Sequence, residues 1–204
     1  GPSGCQLQNA GLFRAGRRGQ SAAMIETLAA IVGPSHVATG PAATPWDKDW
    51  TGLYDGRPGA VVRPGRTHEV AAVVRAAAEN GWPLVPVSGG TGLVGGTYAP
   101  GGLMLSLDRM RQIRGIDVSA RTVEVEAGVV LADLHAAAEA EGLIFPMTFG
   151  AKGSARIGGL VATNAGGSNV LRYGSLRQQV LGLEAVMADG RVMSLMGALH
   201  KDNT

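Results

Sequence analysis

The sequence predicts an α+β protein with two α/β lobes: a small β-α-β lobe, and a mostly antiparallel sheet with helices. Three patterns indicate this fold class. A strand, a helix and a strand follow one another over 59–87 with short connections, as in a right-handed parallel β-α-β unit. Valine and glutamate alternate over 123–126, which is typical of a strand with one exposed face. Asp189 and Gly190 stand between two apolar runs and predict a hairpin with a two-residue turn.

The length and composition suit one domain or two small lobes, because 45% of the 204 residues are apolar. We assign residues 24–110 to the first lobe and 111–204 to the second. Residues 1–23 are expected to be a leader that derives from an expression vector or lacks order, since Met24 is the first methionine. With this interpretation of the leader, we expect the protein to be cytoplasmic. The alternative is a mitochondrial transit peptide, which would place the protein in the mitochondrial matrix.

The elements of the first lobe alternate between strand and helix patterns. In chain order they are an amphipathic helix over 24–33 stopped by Gly33 and Pro34, a strand over 59–64, a helix over 68–80 capped by Thr67 and ended by Gly81, and strands over 83–87 and 103–107.

The second lobe begins with a hairpin. In chain order we expect strands on both sides of a turn at Ser119 and Ala120, a helix over 130–142 closed by Gly142, a glycine-rich loop, and a long strand over 178–188 that returns after Asp189 and Gly190.

Charge and cysteine content exclude several classes of function. The net charge of +2 comes from three arginines of the leader, and residues 24–204 carry 15 basic against 16 acidic residues. No general basic surface therefore predicts nucleic-acid binding. Cys5 is the only cysteine and lies in the leader, which excludes an internal disulfide and a cysteine metal site. No apolar stretch reaches the roughly 20 residues that span a bilayer.

The remaining titratable residues are interpreted as structural. The four histidines are separated in sequence and are assigned surface or packing roles; they are His36, His68, His135 and His200. Glu124 and Glu126 share a strand face, which we interpret as a solvated edge and not as an acid/base pair. We predict no metal site and name no catalytic residue.

The first glycine cluster contains the pattern G-x-G-x-x-G at Gly90, Gly92 and Gly95. In a Rossmann fold this loop opens a helix whose N-terminus holds a pyrophosphate. Here about six residues separate Gly96 from the next strand, whereas a helical crossover needs about ten or more. The Rossmann reading therefore fails, and Asp108 is poorly placed as its ribose acid. Two alternatives remain open: a nest of backbone N–H groups that binds an anion, or a flexible loop.

The second glycine cluster, residues 149–174, repeats this composition. Its polar side chains are short hydroxyls and amides, at Ser154, Thr163, Asn164 and Ser168. Two such loops suit a long ligand with a pyrophosphate at its centre, and flavin adenine dinucleotide (FAD) has that shape.

Four stretches of this sequence carry a family resemblance: "PVSGGTGLVGG", "GAKGSARIGGLVATNAGG", "LRYGSLRQQVLGLEAVMADG" and the terminal "KDNT". They resemble the PCMH-type FAD-binding domain of the p-cresol methylhydroxylase/vanillyl-alcohol oxidase superfamily. Within it, the sequence is most similar to the D-2-hydroxyglutarate and D-lactate dehydrogenase group. The resemblance covers residues 50–204.

This resemblance implies two groups of FAD-binding residues. The first wraps the pyrophosphate and comprises Pro86, Ser88, Gly89, Gly90, Thr91, Gly92, Leu93, Gly95 and Gly96. The second lines the adenosine and flavin path and comprises Pro146, Gly150, Ser154, Ile157, Gly158, Gly159, Ala162, Thr163, Asn164 and Gly166. Val186 belongs to a supporting strand.

Three details of the two loops differ among members of the superfamily. Glycine is usual at the position of Ser88, where we expect a small hydroxyl to be tolerated or to add a phosphate contact. Leucine is usual at Phe149, so packing near the flavin is expected to change. Some relatives attach FAD covalently through a histidine or cysteine of the first loop. Residues 86–96 contain neither, and we predict non-covalent FAD.

The resemblance also implies a function. The chain is expected to be the FAD-binding portion of an oxidoreductase that oxidises a small-molecule D-2-hydroxy acid to the 2-oxo acid. The rest of the cofactor domain, the substrate domain, the catalytic base and the metal site of the parent protein would lie beyond residue 204; the electron acceptor is not identified. The alternatives are an FAD-binding fragment or module without activity of its own, and the cofactor domain of another oxidase or reductase of the superfamily.

Overall fold

The computed structural model describes residues 18–54 and 56–197, and the side chains of residues 18–21 are not among the features described. The terminal "KDNT" and the leader up to residue 17 lie outside this range. The first helix, α1, spans Arg18–Val32 and so begins six residues before the predicted start at Met24. Alanine, the best helix former, occupies positions 22 and 23 and favours this extension.

A four-stranded sheet forms the centre of the N-terminal half. Its strands are β1 (Val37–Ala38), β2 (Ala60–Val62), β3 (Leu84–Val87) and β4 (Leu103–Ser106), in the spatial order β1-β2-β4-β3. β4 is parallel to both β2 and β3, and β1 is antiparallel to β2. The predicted β-α-β strands are therefore parallel, but β4 lies between them. All residues of β2 and β4 are buried, as expected for the central strands of a parallel sheet.

Helix α2 (Thr67–Asn80) packs against this sheet and against α1. Val70, Val73 and Ala77 share a core with Leu28 of α1 and Leu103 of β4. Gly81 adopts a left-handed conformation with φ 64° and ends the helix, as predicted.

The predicted cap at Thr67 is wrong, because Arg66 occupies the N-cap position and Thr67 is the first helical residue. The Thr67 hydroxyl instead donates a hydrogen bond of 2.7 Å to Glu184 Oε1. The helix start is held by Glu69, whose Oε2 accepts a 2.7 Å hydrogen bond from the Gly65 N–H.

The C-terminal half begins with the predicted hairpin of β5 (Ile113–Asp117) and β6 (Thr122–Val125), which are antiparallel. Its turn is organised by Asp117 Oδ1, which accepts hydrogen bonds from the Ser119 hydroxyl at 2.6 Å and from the Ala120 N–H at 2.9 Å. Helix α3 (Leu131–Ala140) follows and ends before Gly142, which has φ 70°.

The solvated-edge interpretation is confirmed for Glu124, whose side chain is 46% exposed, and is wrong for Glu126. Both carboxylates pair with Arg114, at 2.9 Å for Glu124 and 3.2 Å for Glu126. The side chain of Glu126 is only 9% exposed and also accepts a hydrogen bond from the Gln112 N–H. The hydrogen bonds that Arg114 donates to Glu126 and, to a smaller extent, to Glu124 raise the pKa of its guanidinium.

The second glycine cluster, for which the sequence predicts a loop, contains two short helices. They are α4 (Ile157–Thr163) and α5 (Val170–Tyr173). Ile157 and Leu160, three residues apart, are buried in a second core cluster with Leu131 and Leu134 of α3. This apolar pair explains why a helix forms among so many small residues.

The last hairpin consists of β7 (Leu183–Val186) and β8 (Val192–Leu195). The strand predicted over 178–188 is too long, because Leu176–Gln179 form a 3₁₀ helix with Leu176 buried. The predicted two-residue turn is also wrong. Met187 N–H donates to Arg191 O at 2.8 Å, so the loop has three residues, 188–190, with Gly190 left-handed at φ 79°.

The β7–β8 hairpin contacts the N-terminal half through α2. Arg75 Nη1 donates a 2.9 Å hydrogen bond to Gly190 O, and Val186 packs against the core around Leu28. Each residue of β8 is exposed.

Candidate functional site

The first glycine loop, residues 88–102, connects β3 to β4 and leaves the sheet at the carboxyl end of β3. Ligands of open parallel sheets bind at this end of the strands. The loop contains no helix, so the Rossmann arrangement is absent despite the G-x-G-x-x-G pattern. The loop is itself the crossover between two neighbouring parallel strands.

The first loop contacts the second glycine cluster directly. The Gly159 N–H donates a hydrogen bond of 3.2 Å to Ser88 Oγ, and a Cβ on Gly159 would lie 2.7 Å from that oxygen. A Cβ on Gly89 would lie only 2.2 Å from Ser154 O, closer than real Cβ contacts. Because glycine has no side chain, the two segments can pack directly against each other at these positions.

Three other glycines of the first loop face open space. A Cβ on Gly90, Gly92 or Gly96 would meet no atom within 4 Å, apart from chain neighbours. Leu93 at the loop tip is 64% exposed. The backbone of this part of the loop is accessible to a ligand, as a nest of N–H groups requires.

A cavity of about 230 Å³ opens beside the contact between the two segments. Its lining includes Ser88, Gly89 and Gly90 from the first loop, and Arg156, which is the residue immediately before α4. Lys48 and Trp46 contribute from the connector that precedes β2.

Arg156 is the site residue that sequence reasoning missed. Its Nε and Nη1 atoms are buried and have no hydrogen-bond partner among the described residues. Burial lowers the pKa of its guanidinium; the charge of Asp108 opposes this, and the like charges of Arg111 and Arg63 add to it. A sequence signal did exist, since Arg156 is the only arginine in the run of small residues over 150–168.

Asp108 is held by another arginine. Arg63 Nε donates to both of its carboxylate oxygens, at 2.9 and 3.0 Å, and Arg63 Nη2 lies 2.9 Å from Oδ2. Asp108 is 8% exposed, and Arg111 Nε donates a hydrogen bond to its backbone oxygen. Asp108, the residue that a Rossmann fold would use to bind the ribose, is thus part of an internal ion pair.

The other predicted residues of the second segment extend away from this cavity along α4. Thr163 Oγ1 donates to Gly159 O at 2.9 Å, and Asn164 ends α4 in a left-handed conformation with φ 49°. Asn164 Oδ1 also accepts a 2.9 Å hydrogen bond from the Arg177 N–H. These two side chains therefore help to shape the segment. Ala162 is exposed, whereas Phe149 packs on the core around Leu131.

The remaining members of the predicted set are dispersed around the two segments. Pro146 O accepts a 3.0 Å hydrogen bond from Asn169 Nδ2, and a Cβ on Gly150 would meet open space. A Cβ on Gly158 would lie 2.7 Å from Ala127 Cβ. The lack of a side chain at Gly158 therefore allows α4 to pack against the connection between β6 and α3. A Cβ on Gly95 would lie 2.8 Å from the ring of Tyr54.

Within the described ranges, no three histidine, cysteine, aspartate or glutamate side chains come together as a metal site. His135 Nε2 lies 2.7 Å from Met147 O, and His200 is outside the described residues. None of the helices described in residues 18–197 is long and apolar enough to cross a membrane.

Comparison with known proteins relates the chain to flavoproteins. Residues 58–196 match the family described as an FAD binding domain. The chain is 42% identical over 160 residues to a D-2-hydroxyglutarate dehydrogenase of Xanthomonas citri pv. viticola, covering 78% of this chain and 34% of the relative. It is 43% identical over 183 residues to the mitochondrial D-2-hydroxyglutarate dehydrogenase of Bos taurus, covering 88% of this chain and 34% of the relative. The chain thus spans about a third of the length of these relatives.

Solved structures share the fold. An alkyldihydroxyacetonephosphate synthase superposes with a TM-score of 0.75 at 19% identity, over 85% of this chain and 38% of that one. A p-cresol methylhydroxylase superposes with a TM-score of 0.72 at 23% identity, over 92% of this chain and 38% of that one. At these identities the likeness shows the fold alone, and it confirms the predicted PCMH-type α+β class.

Proposed function

Because this chain belongs to the FAD-binding domain family, we propose that it is the FAD-binding portion of an enzyme that oxidises a D-2-hydroxy acid to the 2-oxo acid. The observation that carries the proposal is the direct contact between the two glycine segments beside the cavity, at Ser88 with Gly159 and Gly89 with Ser154. These residues are far apart in the sequence but adjacent in the fold. A ligand with a central pyrophosphate would contact both segments.

The residues of the site fit a dinucleotide. The accessible glycines 90, 92 and 96 suit phosphate oxygens, because backbone N–H groups can approach them without side-chain obstruction. We assign the pyrophosphate to residues 86–96, at the end of β3 and the start of the first loop. The adenosine and flavin path is assigned to residues 146–166. The buried residues of two core clusters, around Leu28 and around Met104, come from 24–110, and those of a third, around Leu134, come from 111–204. Although Val186 packs on the cluster around Leu28, this distribution supports a division into lobes at residues 24–110 and 111–204.

FAD supplies the hydride acceptor of the reaction, and the protein supplies binding and orientation. We propose that the FAD is bound non-covalently, because residues 86–96 and 146–166 contain no histidine or cysteine. Acid precipitation of the flavin-loaded protein is the test. The yellow flavin should remain in the supernatant, and a coloured pellet would contradict non-covalent binding.

The activity belongs to a longer parent protein in this proposal. Relatives named as D-2-hydroxyglutarate dehydrogenases support an acid of the 2-hydroxyglutarate or lactate type as the substrate. The catalytic base and the groups that bind the substrate would then be supplied by the parent's other segments. Expression of the full-length parent and reduction of a dye by D-2-hydroxyglutarate or D-lactate would identify the acid.

The location of the parent is also a proposal. We favour the cytoplasm, with the mitochondrial matrix as the alternative, since the relative from Bos taurus is named as mitochondrial. Fluorescent tagging of the parent in its own cells would distinguish the two.

Retention of flavin by the purified chain is the most direct test of the cofactor assignment. The chain is incubated with FAD, desalted, and its visible absorption spectrum recorded. Retained flavin bands are the expected result. A colourless protein with intact secondary structure by circular dichroism would contradict FAD binding by this chain.

A further inference from the structure

We propose that Arg156 binds the pyrophosphate of the dinucleotide through its guanidinium, an inference that rests on the proposed function. Arg156 lines the cavity of about 230 Å³ together with Ser88, Gly89 and Gly90. These three residues begin the loop to which the pyrophosphate is assigned. The cavity thus combines a cationic side chain with accessible backbone of the first loop.

The hydrogen-bond donors of Arg156 favour an anionic ligand. Its Nε and Nη1 are buried and lack a hydrogen-bond partner within the described part of the chain. Buried donors in folded proteins are nearly always paired, and a charged donor without a partner is especially costly. The guanidinium presents its N–H groups as a planar fork that matches phosphate oxygens.

The surrounding charges favour an anion in the same place. Arg63 and Arg111 interact electrostatically with Arg156, and Asp108 is the acidic residue that opposes them. The Asp108 carboxylate is already bound by Arg63 through Nε and Nη2. Arg63, Arg111 and Arg156 thus bring three positive charges near one carboxylate that is already engaged, which leaves an excess of positive charge for the two charges of a pyrophosphate.

The backbone around Arg156 is held in position before any ligand binds. Arg156 lies between Ser154, which abuts Gly89, and Gly159, which donates to Ser88. The Ile157 N–H also donates a 2.9 Å hydrogen bond to Val129 O. Such prior ordering reduces the conformational entropy that is lost when the ligand binds.

Binding and stability measurements on matched variants test the assignment. Arg156→Met removes the charge and keeps an apolar stem, Arg156→Lys keeps the charge without the fork, and Arg66→Met removes an exposed arginine at the start of α2 as a control. Isothermal titration with FAD and with ADP gives the affinities. Thermal unfolding without ligand gives the stability of each variant.

We expect Arg156→Met to weaken binding of both FAD and ADP about 10- to 100-fold, with Arg156→Lys intermediate and Arg66→Met unchanged. The ligand-free Arg156→Met protein should melt no lower than the unsubstituted chain, because the substitution removes two buried N–H donor atoms that lack a hydrogen-bond partner among the described residues. The affinity of Arg156→Met should also depend less steeply on salt.

Three results would overturn the assignment. Equal FAD affinity of Arg156→Met and the unsubstituted chain would show that the guanidinium does not reach the phosphates, and would leave the proposed function standing. A lower melting temperature of ligand-free Arg156→Met would instead indicate a structural role. Failure of the unsubstituted, folded chain to bind either FAD or ADP would overturn the proposed function itself, and this inference with it.

Discussion

Gly159 and Ser88 are 71 residues apart in sequence, and the Gly159 N–H donates a 3.2 Å hydrogen bond to Ser88 Oγ. The hydroxyl oxygen of Ser88 accepts this bond, which glycine at position 88 would not provide. The hydroxyl proton of Ser88 is still available to a second acceptor. The Ser88 side chain therefore joins the two glycine segments and keeps one hydrogen-bond donor.

Gly89→Ala tests the close approach of the two segments. The new Cβ would lie 2.2 Å from Ser154 O, a backbone atom that cannot rotate away. We expect the free energy of unfolding to fall by about 1–3 kcal/mol, as in other overpacked sites. Urea denaturation measures this change. Gly115→Ala is the control, because a Cβ there meets nothing within 4 Å, and equal stability of the two variants would refute the close contact.

Gly92→Leu tests ligand access without disturbing the fold. Gly92 does not have a positive φ, so its backbone can accommodate a side chain without strain. A Cβ at this position would enter open space. We expect unchanged thermal stability and loss of retained flavin after desalting, since the leucine would occupy the approach to the loop backbone. Gly115→Leu should retain the flavin of the unsubstituted chain. Full retention by Gly92→Leu would mean that the first loop does not approach the phosphates.

Asp108→Asn tests the internal ion pair beneath the site. The asparagine cannot compensate the charge of Arg63, and Arg111 and Arg156 are close enough to add repulsion. Loss of a charged hydrogen-bond acceptor of this kind lowers stability by about 1.5–3 kcal/mol. Chemical denaturation at neutral pH is the measurement. Asp133→Asn, on α3, serves as the control, and equal effects would argue against a special role for Asp108.

The β5–β6 turn should respond to acid through Asp117. The hydrogen bond from the Ser119 hydroxyl, and then that from the Ala120 N–H, lower the pKa of this carboxyl. A carboxyl whose pKa is lower in the folded state stabilises the turn above its unfolded pKa, near 3.9, and this contribution is lost as the pH falls through the folded pKa.

Carboxyl-carbon NMR titration measures the Asp117 pKa directly. In Ser119→Ala the pKa should rise towards its ordinary value, because the largest cause of the shift is removed. Thr122→Ala leaves both hydrogen bonds in place and should not move it. An unchanged Asp117 pKa in Ser119→Ala would contradict the turn geometry.

Local patterns were enough to predict several elements. The apolar spacing of α2 and its end at Gly81, and the alternation in β6, depend only on neighbours in sequence, and the structure confirms them. Exclusion of the Rossmann helix also rested on a local quantity, the number of residues between Gly96 and β4. Helix α4 was not predicted because it has only seven residues, and its apolar residues, Ile157, Leu160 and Val161, stand among small ones.

The sequence by itself determined the α+β class, the family motifs and the positions of the two glycine segments, since these follow from residue spacing and composition. Only the tertiary structure decided that β4 lies between β2 and β3, that Gly89 abuts Ser154, and that Nε and Nη1 of Arg156 have no hydrogen-bond partner among the described residues. Strand order, close approach and hydrogen-bond pairing depend on residues far apart along the chain. No local pattern specifies which distant groups will meet, because packing of the whole fold selects them.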